Sequence, residues 1–227
     1  MNNKTAILIF ANSAEKEATS KPFQFSKDVF KALNAQTLSI VKKTGLPYFV
    51  QSEKQQIGLN FGERFTNAIQ SVYNKGFNTV ITIGNDTPHL KASHILNTIT
   101  KLKQHDIVLG PSKDGGFYLM GLKKSHFNAD IFLKLPWQTS KLSRSISKLQ
   151  ASKAISITYL EVLTDIDSAS DVKYVLNSFK NISKVIKKLL IQYIILEKKI
   201  ISNLYHCIKN SILSQPFNKG SPSLFHL

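Results

Sequence analysis

A short apolar run that ends in a glycine and a single carboxylate is the feature that most constrains the fold of this chain. Residues 79–83 read TVITI, and GNDTPHL follows at 84–90. A continuous apolar run bounded by turn residues is typical of a strand that is buried on both faces. Asp86 is therefore predicted just beyond the carboxyl end of a core strand. In open α/β sheets, ligands bind in the crevice at that edge.

Short apolar strands alternate with segments of helical periodicity along the first 180 residues. We predict strands at 5–11, 47–51, 79–83, 107–109, 117–122 and 155–160, and helices at 26–43, 62–74, 92–102, 140–149 and 168–179. Residues 12–22 are predicted to form a polar loop, and Ser26 is predicted to cap the first helix. The alternation predicts an α/β fold with a mixed, mainly parallel sheet and helices on both faces.

The domain organisation follows from where this alternation stops. Residues 1–180 are predicted to form one domain, and residues 181–227 a basic helical extension with a loose terminus. In residues 184–210, lysines and apolar residues mix in a helical rhythm. One interpretation is a helix packed on the domain. The other is an amphipathic helix that makes peripheral contact with an anionic membrane or with a partner.

The chain is strongly basic, with 30 Lys and Arg residues against 14 Asp and Glu residues and a net charge of +16. Such a charge attracts nucleic acids, anionic lipids and phosphorylated ligands without specificity. The excess is spread along the chain, because residues 1–180 carry 23 basic and 13 acidic residues. A diffuse excess is typical of a solvated surface. We therefore expect no specific nucleic-acid partner.

Cysteine and apolar content indicate the compartment. The single cysteine, Cys207, excludes an internal disulfide and a thiolate metal site, as is usual in a reducing cytoplasm. The apolar run at 5–10 is too short for a signal peptide. The longest other apolar stretch, around 189–196, falls well short of the roughly 20 residues that span a bilayer. We expect a cytoplasmic protein without a transmembrane segment.

Five of the 14 acidic residues fall in three clusters at predicted turns, and these are Asp86, Asp114, Asp165, Asp167 and Asp171. Carboxylate oxygens are the ligands that Mg²⁺ prefers, and a bound cation can neutralise a leaving diphosphate. Each cluster also has a structural explanation. Asp86 can stabilise a turn, and Asp114 can belong to a hairpin. Asp167 can cap the last helix, with Asp171 in its first turn.

Taken in order, four segments resemble the DUF2064 family of bacterial glycosyltransferase-like proteins. They are GNDTPHL (84–90), VLGPSKDGGFYLMGL (108–122), PWQT (136–139) and DIDSASDV (165–172). GLNFGERF (58–65) also looks like a segment of that family. The resemblance covers about residues 5–180 and implies the nucleotide-diphospho-sugar transferase fold, of GT-A type.

The resemblance also implies a site and an activity. Asp86 would hold Mg²⁺ or Mn²⁺ on a diphosphate together with Asp165 or Asp167, and Asp114 would orient the acceptor. Seven further residues are expected to bind substrate: Lys21, Arg64, Gly84, Thr87, Pro88, Gly115 and Gly116. The implied reaction is metal-dependent glycosyl transfer from a nucleotide sugar to an unknown acceptor. Nucleotidyl transfer to a small phosphorylated acid or sugar is an alternative, and it would use a divalent ion in the same role.

The loop after the first strand departs from the family pattern. There the family usually has glycine, lysine and arginine residues that would grip nucleotide phosphates, whereas residues 12–23 read NSAEKEATSKPF. Glycine lets backbone amides approach a phosphate closely, and this loop has none. Only Lys16 and Lys21 are possible cations. The departure favours a third alternative, a noncatalytic binding protein with a degenerate nucleotide cleft, whereas the late acidic motif opposes it.

Overall fold

A six-stranded sheet lies at the centre of the protein. The computed structural model describes residues 4–213 except Pro22, Gln24, Ser140, Ser143, Ser147, 149–154, Phe179 and Lys180, and of residues 207 and 209–213 it describes only the backbone. The strands are β1 (Thr5–Phe10), β2 (Tyr48–Gln51), β3 (Thr79–Ile83), β4 (Ile107–Pro111), β5 (Phe117–Lys123) and β6 (Ile157–Tyr159). Their order across the sheet is β2-β1-β3-β5-β4-β6.

All strand pairs are parallel except those of β5, which runs antiparallel to β3 and to β4. The reason is the length of the connections. Residues 112–116 join β4 to β5 as a short hairpin turn, which only antiparallel strands allow, whereas β1 and β3 are connected through helices. The mixed, mainly parallel α/β fold predicted from the sequence is confirmed.

Seven α-helices are described: α1 (Ala14–Ser20), α2 (Ser26–Lys42), α3 (Phe61–Asn74), α4 (Ala92–Lys101), α5 (Ala129–Lys134), α6 (Ala169–Asn177) and α7 (Lys184–Leu213). Two predictions were wrong. Residues 12–22 contain α1, because the Ser13 side chain caps it by accepting a hydrogen bond from the Lys16 amide. Ser26 is the first residue of α2 and not its cap, a position held by Phe25 with a left-handed φ of 63°. The helix predicted at 140–149 includes residues outside those described.

Helices cover both faces of the sheet, as the apolar sequence of β3 requires. Val80 packs in a cluster with Ile69 and Val72 of α3, on the face that α5 also covers. The next residue, Ile81, packs on the opposite face with Ile95 of α4. Successive side chains of a strand point to opposite faces, so both cores depend on β3. This strand is buried at all five positions.

The parallel ends of β1 and β3 bring distant loops to one edge of the sheet. Ile9 pairs with Ile83, so the residues that follow the two strands leave at the same edge. The Asn85 side-chain amide donates to the Asn12 carbonyl at 3.3 Å. The backbone amide of Ile166 donates to the Asp86 carbonyl at 2.9 Å. This edge therefore gathers the first loop, the Asp86 turn and the late acidic motif.

Only the first half of α7 packs on the domain. Ile186, Leu190 and Tyr193 are buried in a third apolar cluster with side chains of α2 and α6. From Lys198 to Ile208, every side chain that the structure describes is exposed. Within the described residues, no helix has the length and apolar character needed to cross a membrane.

Two leucines on α7 test this division. Leu190 is 0% exposed and Leu204 is 55% exposed. We expect Leu190→Ala to lower the free energy of unfolding by about 2–5 kcal/mol, because it leaves a cavity. Leu204→Ala should change it by less than about 0.5 kcal/mol. Urea unfolding of both variants measures this, and equal losses would show that the outer half of α7 is also packed.

Candidate active site

A cleft of about 630 Å³ opens at the carboxyl ends of β1 and β3. Eight of the eleven predicted site residues line it: Lys21, Arg64, Gly84, Asp86, Asp114, Gly116, Asp165 and Asp167. Glu17 and Glu53 also line it, so this cleft collects six of the 14 acidic residues of a strongly basic chain. Such a concentration of carboxylates needs cations for compensation.

The other three predicted residues do not line the cleft. Thr87 is buried behind it, and its hydroxyl donates to Asp165 Oδ1. The Pro88 carbonyl accepts from Gln36 Nε2 at 2.9 Å, in a separate groove between α2 and α4. Gly115 lies in the β4–β5 turn with φ of 95°, a conformation that favours glycine. The hydrogen bond of Thr87 connects it to a residue that lines the cleft, Asp165.

Lys21 is the central cation of the cleft. Its Nζ lies 2.8 Å from Asp86 Oδ2 and 2.6 Å from Asp167 Oδ1. Glu17 Oε2 is 3.6 Å away. Burial alone would lower the pKa of the ammonium, but these three carboxylates outweigh it and raise the pKa above its ordinary value. Lys21 is therefore charged at neutral pH and joins α1 to two acidic turns.

Three carboxyl groups of the cleft, those of Glu17, Asp165 and Asp167, have pKa values that burial raises. Burial raises the pKa of Glu17, which is 4% exposed, while the nearby Lys21 opposes this rise. Burial, reinforced by the Asp86 charge, raises the pKa of Asp165 to about 8, against the lowering effect of its hydrogen bond from Thr87. Burial and a like charge thus act together to favour the protonated form of Asp165.

Asp114 belongs to the turn and to the cleft at once. Its Oδ1 accepts hydrogen bonds from the Ser112 hydroxyl and from the Gly116 amide, the latter at 3.0 Å. A Cβ at position 116 would lie 3.1 Å from Ser112 Oγ and 3.3 Å from Asp114 Oδ1, so a side chain there would disturb this turn. The turn orients the carboxylate of Asp114 along the cleft wall.

Arg64 provides a cation without a hydrogen-bond partner at Nε. This atom is buried, and it makes no hydrogen bond to any of the residues that the structure describes. The Asn60 side chain caps α3 by accepting from the Glu63 amide at 2.9 Å, and this places Arg64 in the first turn of the helix. A buried guanidinium donor that lacks a protein acceptor favours an anionic ligand in the cleft.

Aromatic side chains form the wall beside Arg64. Phe61, Phe65 and Trp137 line the cleft together, and the Trp137 ring lies 5.0 Å from that of Phe65. The indole N–H donates to the Phe132 carbonyl at 2.6 Å, so Trp137 is anchored as part of the core. This wall offers apolar surface to a flat ring next to the guanidinium.

Sequence reasoning missed two acidic residues of the cleft. Glu17 precedes Lys21 by four residues, and in a helix that spacing brings the two side chains together. The spacing becomes informative only when residues 14–20 are known to be helical. Glu53 accepts from the Ser13 amide and hydroxyl, both at 2.7 Å. Burial would raise the pKa of Glu53, but these two hydrogen bonds outweigh it and lower the pKa. No sequence signal links the two residues.

Asp86 and Asp167 both contact the Lys21 ammonium. This contact bears on the metal ion that the sequence predicted at these residues. Among the residues described, no group of three or more His, Cys, Asp or Glu side chains is arranged to hold a metal ion. The Lys21 ammonium nevertheless lies within hydrogen-bond distance of Asp86 and Asp167. These two oxygens therefore hold a cation, the Lys21 ammonium, and carboxylate oxygens are also the donors that Mg²⁺ prefers.

Comparison with known proteins identifies the family. The model of a family described as "Uncharacterized protein conserved in bacteria (DUF2064)" matches residues 26–139. A search of curated proteins found no match.

Solved structures share the fold. A candidate nucleotide-diphospho-sugar transferase from Desulfovibrio desulfuricans G20 is 18% identical, has a TM-score of 0.72, and aligns over 87% of this chain and 98% of its own. Rv0371c from Mycobacterium tuberculosis H37Rv is 14% identical with a TM-score of 0.52, over 78% and 100% of the two chains. Its manganese complex aligns with a TM-score of 0.44 at 14% identity over 77% and 99%, and this carries no argument for a metal here. At these identities the similarity establishes the fold alone.

The raised pKa of Asp165 predicts a pH dependence of stability. Because the folded pKa lies above the ordinary 3.8, the folded protein binds more protons than the unfolded chain between about pH 4 and pH 8. The free energy of unfolding should therefore fall as the pH rises through this window, by at most about 1.4 kcal/mol per unit. Asp165→Asn removes this titration and keeps an oxygen for the Thr87 hydroxyl.

The measurement is the melting temperature of both proteins from pH 5 to pH 8 in the presence of a chelator. We expect the variant to gain stability relative to the wild type as the pH rises. Parallel curves would show that Asp165 titrates in its ordinary range.

Proposed function

We propose that this chain, which belongs to the DUF2064 family, is a transferase that binds a nucleotide-linked substrate in the cleft. The observation that carries the proposal is Arg64, whose buried Nε lacks a hydrogen-bond partner among the described residues. Arg64 lines the same cleft as six carboxylates and the aromatic wall. An anionic ligand with a flat ring satisfies both features. The fold shared with a candidate nucleotide-diphospho-sugar transferase supports the same class of substrate.

Within this class we favour glycosyl transfer from a nucleotide sugar. The bond between the sugar and the diphosphate breaks, an acceptor hydroxyl forms the new bond, and its proton passes to a carboxylate. Asp114 is the candidate acceptor of this proton, because the turn aims it along the cleft wall. Arg64 and Lys21 offset the negative charge that develops on the leaving diphosphate.

A divalent cation fits this reaction. Asp86 and Asp167 would hold Mg²⁺ or Mn²⁺, with Asp165 beside them, and the bound ion would stabilise charge on the diphosphate. The ion pairs of Lys21 already show these two carboxylates acting on one cation. An ion at the position of the ammonium would displace the Lys21 side chain.

A noncatalytic role is the alternative that one contact favours. After β1, the Ser13 amide is bonded to Glu53, so it is not available to a phosphate. A protein that binds a nucleotide without catalysing a reaction would need Arg64 and the aromatic wall, but not the acidic residues of the cleft. Nucleotidyl transfer needs the same residues as glycosyl transfer, and the identity of the products separates the two reactions.

The two arginines of the chain provide a matched test of ligand binding. Arg64 lines the cleft, whereas Arg144 is exposed and lies outside it. We expect a nucleotide or nucleotide sugar at about 100 times its Kd to stabilise the wild type by roughly 2.7 kcal/mol. Arg64→Gln should weaken this binding by about 10-fold or more, because the anion loses a buried charged donor. Arg144→Gln should bind as the wild type does.

Thermal shift against a panel of nucleotides and nucleotide sugars, with and without Mn²⁺, makes the measurement. The unliganded melting temperatures of both variants serve as the folding control. If no compound stabilises the wild type under either condition, the proposed substrate class is wrong.

We also propose that the outer half of α7 contacts an anionic membrane. One face of the helix carries apolar residues at steps of three or four, so they form a continuous stripe. The stripe consists of Ile186, Leu190, Tyr193, Leu196, Ile200, Leu204 and Ile208. Its first three residues are buried against α2 and α6, and its last three are exposed. The stripe therefore extends beyond the surface that the domain covers.

The positive charge beside the exposed stripe favours an anionic membrane over a second copy of the chain as its partner. Lys198 and Lys199 flank the exposed stripe, and residues 198–213 contain no acidic residue. A second copy would bring the same positive charges together, which is unfavourable. An anionic lipid surface instead attracts the lysines and accepts the apolar stripe.

Vesicle binding at low salt tests this contact with the full-length chain. We expect binding to phosphatidylserine vesicles and little binding to phosphatidylcholine vesicles. The pair Lys198→Gln and Lys199→Gln should weaken binding about 10-fold or more, since each lysine near the surface contributes about 1 kcal/mol. The matched pair Lys42→Gln and Lys43→Gln, also adjacent and exposed, should have a much smaller effect. Equal effects of the two pairs would mean that only net charge matters.

A further inference from the structure

We propose that Lys21 and a divalent cation are alternative occupants of the position between Asp86 and Asp167, so that binding of the ion releases the lysine toward the substrate. The inference deepens the proposed function and rests on it for its consequence in catalysis. The competition itself concerns only residues and distances within this chain.

The ammonium and a divalent ion cannot both lie between the same two oxygens. Lys21 Nζ is 2.8 Å from Asp86 Oδ2 and 2.6 Å from Asp167 Oδ1, so it takes one oxygen of each carboxylate. A divalent ion needs its carboxylate oxygens at about 2.0–2.1 Å for Mg²⁺. An ion between the same two oxygens would overlap the ammonium and repel its charge. Only one of the two cations can therefore occupy the position between these two oxygens.

Contacts of α1 and of the Lys21 side chain hold the ammonium at this position. It ends α1, where its backbone amide donates to the Glu17 carbonyl at 2.7 Å. Its ammonium lies 5.1 Å from the centre of the Phe30 ring. The other end of α1 is fixed by Ser13, which caps the helix and donates to Glu53. Lys21 is thus positioned by a helix anchored at both ends.

A released Lys21 would stay beside the substrate. Glu17 Oε2 lies 3.6 Å from the ammonium and takes no part in the Asp86–Asp167 pair, so it remains as a partner after displacement. Glu17 is also buried, and this same oxygen, Oε2, accepts no hydrogen bond from the residues that the structure describes. The lysine can therefore turn within the cleft while Glu17 keeps it near. The diphosphate would then receive two cations, the ion and the ammonium.

Mn²⁺ binding without nucleotide tests the competition. We expect Lys21→Met to bind Mn²⁺ at least about 10-fold more tightly than the wild type, measured by calorimetry and by the electron paramagnetic resonance signal of free Mn²⁺. Lys21→Arg keeps the charge and should bind Mn²⁺ as weakly as the wild type. Lys27→Met removes a surface ion pair of 3.1 Å to Glu15 and should not change Mn²⁺ affinity.

A second substitution tests whether the added Mn²⁺ affinity of Lys21→Met depends on Asp86. Adding Asp86→Asn to Lys21→Met should abolish the tighter binding, because Asp86 supplies one of the two shared carboxylates. If Lys21→Met is poorly folded in chelator, Mn²⁺ should raise its melting temperature by more than it raises that of the wild type. Either result supports the competition.

Three outcomes would overturn the inference. They are equal Mn²⁺ affinity of the wild type and Lys21→Met, a tighter binding that survives Asp86→Asn, and no detectable Mn²⁺ binding by any variant. Nucleotide stabilisation of the wild type is measured separately. Its absence, together with a clear Mn²⁺ gain in Lys21→Met, would reject the transferase proposal and leave the cation competition standing.

Discussion

The ion pairs of Lys21 with Asp86 and Asp167 are the interactions on which the rest of the site depends. They join α1, the turn after β3 and the late acidic motif, although Lys21 and Asp86 are 65 residues apart in sequence. Removing a single partner of a buried ion pair leaves an uncompensated charge, and this costs more than the pair contributes. Loss of Lys21 would therefore leave Asp86 and Asp167 without this compensation.

The direction of the strands explains why the acids meet. β1, β3 and β4 run the same way, so the loops after them leave at one edge. β5 runs the opposite way, and its first residue follows the turn that contains Asp114. A hairpin in an otherwise parallel sheet thus brings this turn to the edge where Asp86 already lies.

The sequence predicted the parts of the site that depend on local patterns. TVITI predicted β3 and the place of Asp86, because both faces of that strand had to be buried. SASD predicted Asp171 in the first turn of α6, where its Oδ2 accepts from the Ser168 amide at 2.9 Å, but the cap of this helix is Ser168 and not Asp167. Residues 12–22 were read as a loop because α1 has no apolar stripe; it buries only Ala14 and Glu17. Its stability depends on Ser13, Glu53 and Lys21, and such long-range polar contacts have no periodic signal in the sequence.

The helix after β1 changes how the cleft can recognise an anion. A glycine-rich loop offers backbone amides to a phosphate, whereas here the Ser13 amide is already bonded to Glu53. Recognition of the anion must then depend on side chains, chiefly the Arg64 guanidinium and the Lys21 ammonium. Side-chain cations respond to neighbouring charge in a way that fixed amides do not. Because Lys21 is bound to Asp86 and Asp167 in the free protein, the affinity of this cleft for a diphosphate depends on what else neutralises those two carboxylates.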